Sequence, residues 1–270
     1  MPVLSRLLRV ASTMTSPKGP SVRGLYRYPV KGLSPEPLQT MLLRAGETAP
    51  FDRAYAIENG PGRFDPEHPA HLPKVNFLML MRDERLATLV TRFNDADQTL
   101  TVFRAGKQVA RGDLRTPLGR RMLEQFFAAY MREELRGPPR IVSAPGHSFT
   151  DIATKALHVV NLASLRELER VVGRPINPLR FRPNVVIDGV EPWAELGWVG
   201  APLGLGSVQL EVFKRTCRCA ATDVDPEAGK RDMAIPAALQ RAYGHMDFGV
   251  YARVLTDGAV TLGDPVAIST

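Results

Sequence analysis

Apolar residues along this chain come in short clusters, many of them alternating with polar neighbours and separated by turn-forming residues. A period of two argues for half-buried strands. The pattern predicts strands at residues 22–28, 54–57, 77–81 and 100–103 in the first part of the chain, and at 185–187, 208–213, 250–254 and 260–262 in the last part. Asn59-Gly60-Pro61-Gly62 and Asn94-Asp95-Ala96-Asp97 carry the turn chemistry that closes antiparallel strands.

Two stretches change to helical spacing. Over 116–136, Leu118, Met122, Phe126 and Tyr130 recur every four residues and predict one apolar face, and Gly137-Pro138-Pro139 ends the helix. A second helix is predicted over 164–172, with Leu165, Leu168 and Val172 on one face and Asn161 or Ser164 as its N-cap. Trp193 and Trp198 fall in a connecting loop, and no internal repeat is present. The fold class expected is α+β and β-rich: a leader at 1–21, an N-terminal β unit at 22–115 and a C-terminal β domain at 116–270, joined through the helix near residue 120.

Composition narrows the function classes. With 270 residues, 44% of them hydrophobic, the chain can bury one large core or two modest ones. The 23 prolines and 22 glycines leave little room for long helices. Thirty-five basic against 28 acidic residues give +7, which attracts an anionic partner. Aromatics are only 7% and no Lys/Arg run of five to eight residues occurs, so nucleic acid is not the expected partner. No apolar stretch reaches the roughly 18 residues of a transmembrane helix.

The leader carries Arg6, Arg9 and Lys18 with no acid before Glu36, which fits either an organellar transit peptide or a tail. Cytoplasmic location is the expectation, with an organelle as the alternative. The two cysteines, Cys217 and Cys219, stand one residue apart and cannot be a secreted disulfide framework.

Those cysteines mark the most informative segment, Lys214-Arg215-Thr216-Cys217-Arg218-Cys219, which runs on to Val224-Asp225-Pro226. A thiolate suits a soft or intermediate metal, and the flanking cations favour its charged form. The plain alternative is that both cysteines are small buried hydrophobes. A zinc site is not expected, because the five histidines show no ligand spacing. A Cys-His nucleophile pair stays open, with His147 or His245 as base. Arg180-Phe181-Arg182-Pro183-Asn184 sets two guanidinium groups and an amide before an apolar strand, either as a phosphate site or as a solvated loop. Tyr28-Pro29-Val30-Lys31-Gly32 and Phe51-Asp52-Arg53 each offer one cation.

Taken in order, these segments and Gly263-Asp264-Pro265-Val266 resemble the landmarks of the MOSC-domain family over about residues 22 to 268. That family includes the mitochondrial amidoxime-reducing component and bacterial relatives. The resemblance implies an N-terminal MOSC-type β-barrel followed by a MOSC β-barrel domain, and the molybdenum cofactor (molybdopterin with Mo) as cofactor. It implies that Cys219 is the metal ligand and a catalytic residue, with Asp225 orienting the cysteine loop or simply forming its turn. Lys31, Gly32, Arg53, Arg182, Asn184, Cys217 and Arg218 are implied to approach the pterin and its phosphate, and Thr154 is a further contact. Gly32 stands where several relatives carry Ser, and residues 64–75 are unlike the corresponding part of the eukaryotic reductases.

The function implied is that of an oxidoreductase reducing N-hydroxylated or N-oxide small-molecule substrates. Electrons come from a separate partner (cytochrome b5-like, flavin or iron-sulfur), since the chain has no flavin, haem or cluster motif of its own. The alternative is a sulfur carrier with a persulfide on Cys219, or a module that stores the cofactor. Pyridoxal phosphate belongs to a separate domain of the fused sulfurases.

Overall fold

The computed structural model describes residues 19–268, so all but the last three positions of the expected leader lie outside the described residues. The first strand, β1 (Ser21–Arg27), is followed by β2 (Glu36–Leu38), β3 (Thr40–Leu43) and β4 (Ala56–Glu58). A meander of β5 (Leu89–Phe93), β6 (Thr99–Arg104) and β7 (Lys107–Asp113) leads to helix α1 (Pro117–Tyr130). Then come β8 (Arg140–Val142), β9 (Leu157–Asn161), α2 (Leu162–Val172), β10 (Val185–Asp188), β11 (Pro202–Leu205) and β12 (Val208–Cys217). The chain ends through α3 (Ile235–Tyr243), β13 (Asp247–Val254), β14 (Gly258–Thr261) and β15 (Val266–Ile268). The architecture is β-rich α+β, as the alternation predicts.

The principal sheet has eight strands in the order β15-β11-β12-β13-β9-β10-β1-β2. β9 and β10 run parallel, with α2 in the connection between them, and the other neighbours are antiparallel. Among the described residues no strand-length ladder closes this sheet into a barrel. It curls instead, so that Val22 N donates to Asp264 O at 2.9 Å and Val266 N to Pro20 O at 3.0 Å, tying β1 to the approach of β15. Residues 21–43, placed by sequence with the N-terminal unit, therefore pair with the C-terminal part of the chain: β1 joins the principal sheet beside β10, and β3 pairs with β14 in a separate two-stranded sheet. Val22, Leu25, Val159, Val185, Leu210 and Val250 bury into its core, each such side chain contributing about 1.5–3 kcal/mol.

A second core sits between the meander and α1, built on Leu86, Leu89, Val102, Leu123 and Phe127. Thr116 caps α1 by accepting from Gly119 N at 3.0 Å, and Pro117 occupies its first turn. The buried face of α1 is Gly119, Leu123 and Phe127, while Leu118 is 63% and Met122 51% exposed. The predicted stripe is thus displaced by one residue. The cause is a glycine contact: a Cβ on Gly119 would lie 2.2 Å from Asp113 O, so only this face lets the helix approach β7. The helix also ends at Tyr130, short of the predicted 136.

Residues 77–81 were expected as a strand. Only Phe77 forms a bridge, to Glu58, after which Asp83 accepts from Met79 N at 2.9 Å and turns the chain. α2 starts earlier than predicted, with Asn161 accepting from Ala163 N as its N-cap. α3 carries no sequence expectation. Among the described residues no helix is long and apolar enough to cross a membrane.

Candidate functional site

A cleft of about 250 Å³ opens where the end of β12, the turn before β10 and the Tyr28 to Gly32 turn converge. Lys31 enters it just after β1. Its backbone N donates to Tyr55 O at 2.8 Å, and Gly32 then takes φ +84°, where a Cβ would meet Leu78 O at 2.8 Å. Glycine is required there by both conformation and space. Lys31 is 7% exposed; its Nζ donates to Phe149 O at 2.9 Å and forms an ion pair with Asp151. Burial lowers the ammonium's pKa despite that carboxylate. Burial would push Asp151 up, yet the neighbouring Lys31 and Lys74 outweigh it and hold the carboxyl well below its usual range.

Arg53 and Arg182 reach the cleft from different elements, and both take positive φ, 51° and 52°. Arg182 ends a short 3-10 turn over Pro178–Phe181, where Pro183 prevents continuation. Two non-glycine residues held in this conformation beside one cleft mark a place where backbone strain is retained. Both guanidinium groups lie over the ring of buried Tyr28, with Cζ 4.5 Å and 4.0 Å from its centroid. Arg53 pairs with Asp52, and Arg182 donates through Nη1 to Leu33 O at 2.9 Å. Its Nη2 is buried with no partner, and burial lowers its pKa to about 10, so it stays charged at neutral pH.

β12 supplies the cysteine segment. Register shifts between Val212 and Lys214 and between Arg215 and Cys217 leave Lys214, Arg215 and Cys217 exposed around buried Thr216. Arg218 turns inward, donating to Phe181 O at 2.9 Å and facing His158 Nε2 at 3.4 Å, with Nε buried and unpartnered. Burial lowers its pKa. Cys219 is half-buried, in extended backbone before a 3-10 turn over Ala220–Asp223. Lys74 Nζ lies 3.3 Å from its sulfur and 3.8 Å from Asp151. Burial lowers the Lys74 pKa, but Asp151 and Cys219 together carry it above the ordinary value.

Of the positions that the family resemblance singles out, Lys31, Gly32, Arg53, Arg182, Asn184, Cys217, Arg218 and Cys219 all line this one cleft. Asn184 lines it with its amide already engaged: Oδ1 accepts from His158 N at 3.0 Å and Nδ2 donates to Tyr26 O at 3.2 Å, stapling β9 to β1. Two positions stand apart. Thr154 is exposed and outside the cleft, where Thr150 lies instead. Asp225 faces away, accepting from Arg180 Nη2 at 2.9 Å and from the backbone of Glu227 and Ala228, so it ties the turn after Cys219 to the turn before Arg182. Arg180 is spent on Asp225 and Asp232.

The histidine at the site is His158, buried on β9, rather than His147 or His245. Its sequence signal is a polar residue inside the wholly buried run Leu157–Asn161. Lys74, Asp151 and Tyr251 also line the cleft and have no local signal. Among the described residues no cluster of three His, Cys, Asp or Glu could hold a metal. The sulfurs of Cys217 and Cys219 are the thiols that line the cleft. The unpartnered donors of Arg182 and Arg218 and the cations around them fit an anionic, phosphate-bearing ligand.

Residues 142–267 match the MOSC domain. Human mitochondrial amidoxime-reducing component 1 is 30% identical over 125 residues, 42% of this chain and 36% of that protein. The molybdenum cofactor sulfurase of Caenorhabditis elegans is 31% identical over 99 residues, 35% of this chain and 14% of that protein. The match thus spans about a third of the amidoxime-reducing component's length and less of the sulfurase. Among solved structures, the YuaD protein of Bacillus subtilis aligns over 92% of this chain and 94% of its own at 14% identity, with a TM-score of 0.43. The matched residues include Phe181 to Asn184, the cysteine segment and Gly263 to Val266, the landmarks of the last half of the chain. The likeness to the MOSC domain therefore covers residues 142–267 of this chain, the part that holds the cysteine segment and the Arg182 turn.

Proposed function

We propose that this protein binds the molybdenum cofactor in the cleft and works as an oxidoreductase on N-hydroxylated or N-oxide small molecules. The observation that carries the reading is the convergence of one cysteine sulfur, Cys219, with two guanidinium groups whose buried donors Arg182 Nη2 and Arg218 Nε have no partner among the described residues. Buried unpartnered donors are costly, and a bound anion is the economical way to satisfy them. Arg182, Arg218 and Arg53 hold the phosphate and pterin, Lys31 fixes the floor through Asp151, and Cys219 is the metal ligand.

When bound, the cofactor supplies a metal that changes oxidation state and accepts oxygen from substrate. The protein's share is to orient Cys219, neutralise the pterin's charge and keep bulk water from the floor. Electrons come from a separate redox protein. The names of the similar proteins, an amidoxime-reducing component and a molybdenum cofactor sulfurase, support this class of function.

Molybdenum and pterin fluorescence are measured on protein made in a cofactor-producing host. Wild-type protein should carry near-stoichiometric metal. Cys219→Ala should lose the metal while keeping part of the pterin, and Cys217→Ala should be mild. Stoichiometric molybdenum in Cys219→Ala would sink the ligand assignment. Exposed Cys217 beside Cys219 in the same cleft favours one second reading, a persulfide carrier. Metal-free protein with labile sulfur on Cys219 would put that reading first.

A further inference from the structure

The cations of the cleft form two tiers. The floor holds Lys31, Arg53, Arg182 and Arg218, all engaged by backbone or carboxylate groups at one or more atoms. The mouth holds Lys74, whose side chain is 29% exposed, and exposed Lys214 and Arg215, with Arg215 Nε donating to Leu196 O at 2.7 Å. Asp151 is the single carboxylate among the lining residues, against eight lysines and arginines. Its nearer partner is Lys31, with Lys74 farther off at 3.8 Å. A phosphate-bearing ligand on the floor would leave the mouth without a full counter-charge, with Lys74 Nζ 3.3 Å from the Cys219 sulfur.

We propose that this mouth is an anion seat: Lys74, backed by Lys214 and Arg215, draws the carboxylate or comparable anionic group of a substrate onto Cys219. Leu80 and Met81, which also line the cleft, give the substrate an apolar surface. Arg231 braces that wall, donating to Met81 O at 2.6 Å and, through its other nitrogen, to Ala220 O at 2.8 Å in the turn that follows Cys219. The wall and the sulfur therefore keep a fixed spacing. The substrate class that fits is an anion with an apolar body. A field of one sign in a cleft of low dielectric concentrates the opposite charge.

The inference rests on Cys219 as the metal ligand of the proposed function, which puts the reacting centre beside its sulfur, and its first test needs no cofactor. In Cys217→Ala, Cys219 is the sole thiol. Its alkylation rates by anionic iodoacetate and neutral iodoacetamide are compared at one pH, so that the fraction of thiolate cancels in their ratio. Lys74→Met in that background should lower the iodoacetate-to-iodoacetamide ratio about five-fold at low salt. Lys74→Arg should restore it, and Lys214→Met should lower it by less. The differences should shrink at high salt. An unchanged ratio in Lys74→Met, or an equal fall in Lys74→Arg, overturns the anion seat. Melting curves identify any variant that fails to fold, and Lys74→Gln then replaces Lys74→Met.

In the loaded enzyme, Lys74→Met should raise KM several-fold for a carboxylate-bearing N-hydroxylated substrate and leave its methyl ester unaffected. Equal effects on both also overturn the seat. A protein that carries no molybdenum fails the proposed function, while the alkylation ratio still decides this inference.

Discussion

Arg182 lays its guanidinium carbon 4.0 Å from the ring centroid of Tyr28, a ring that is fully buried and whose hydroxyl has no partner. Arg53 lies over the same ring at 4.5 Å. One aromatic side chain thus orients two cations of the cleft floor, and its ring and hydroxyl have separable effects. Tyr28→Phe should leave stability unchanged or raise it by up to about 1 kcal/mol, since it removes an unsatisfied buried polar atom. Tyr28→Leu should weaken pterin retention several-fold, because each cation over a ring is worth about 0.5–2 kcal/mol. Thermal melts and pterin fluorescence after gel filtration check both. Equal retention in Tyr28→Leu would show that the ring does not position the arginines.

Gly32 stands in left-handed backbone at φ +84°, with Leu78 O 2.8 Å from the place a Cβ would occupy. Gly32→Ser should cost about 1–3 kcal/mol here. It should also displace the wall formed by Leu80 and Met81. Urea unfolding measures the cost, and an unaltered midpoint would mean that the turn yields freely.

Asp151 connects Lys31 to Lys74 and is itself half-exposed. Asp151→Asn keeps the shape and removes the charge, leaving Lys31 buried beside Phe149 O alone. Breaking a fully buried pair costs more, but solvent screens this one, so a loss of about 1–2 kcal/mol is expected. The iodoacetate preference of Cys219 should rise in this variant, since the mouth loses its one carboxylate. Unchanged stability and unchanged preference together would remove Asp151 from the site.

His158 is held neutral. Burial and the adjacent Arg218 push its pKa well below the ordinary 6.5, and Arg218 Nη1 donates toward Nε2, which leaves Nδ1 to face Arg182 O at 3.5 Å. Arg53 adds further positive charge, and Tyr251 packs its ring 5.5 Å away. The folded value lies below the unfolded one, so as pH falls beneath 6.5 the unfolded chain takes up a proton that the native chain refuses. The stability present above pH 6.5 should therefore decline from there toward the lower folded value. Unfolding free energies from pH 7.5 to 5 should fall less steeply in His158→Gln. Parallel slopes would show that another group carries the dependence.

The sequence by itself determined the β-rich class, most of the longer strands and the second helix, because alternation and capping residues are local and each follows from its own neighbours. It also determined the order of the family landmarks, and with them Cys219, Arg182, Arg53 and Lys31, all of which converge on one cleft. Tertiary structure decided what depends on contacts between distant residues. The face of α1 was set by the Gly112 and Gly119 approach, which no helical periodicity reports. Residues 77–81 look like a strand, but Asp83 captures Met79 N and bends the run into a cleft wall. Lys74 and Cys219 are 145 positions apart, and Lys31 and Asp151 are 120. Solitary charged residues in loops carry no signal of their partners, so only the folded chain could bring them to one sulfur.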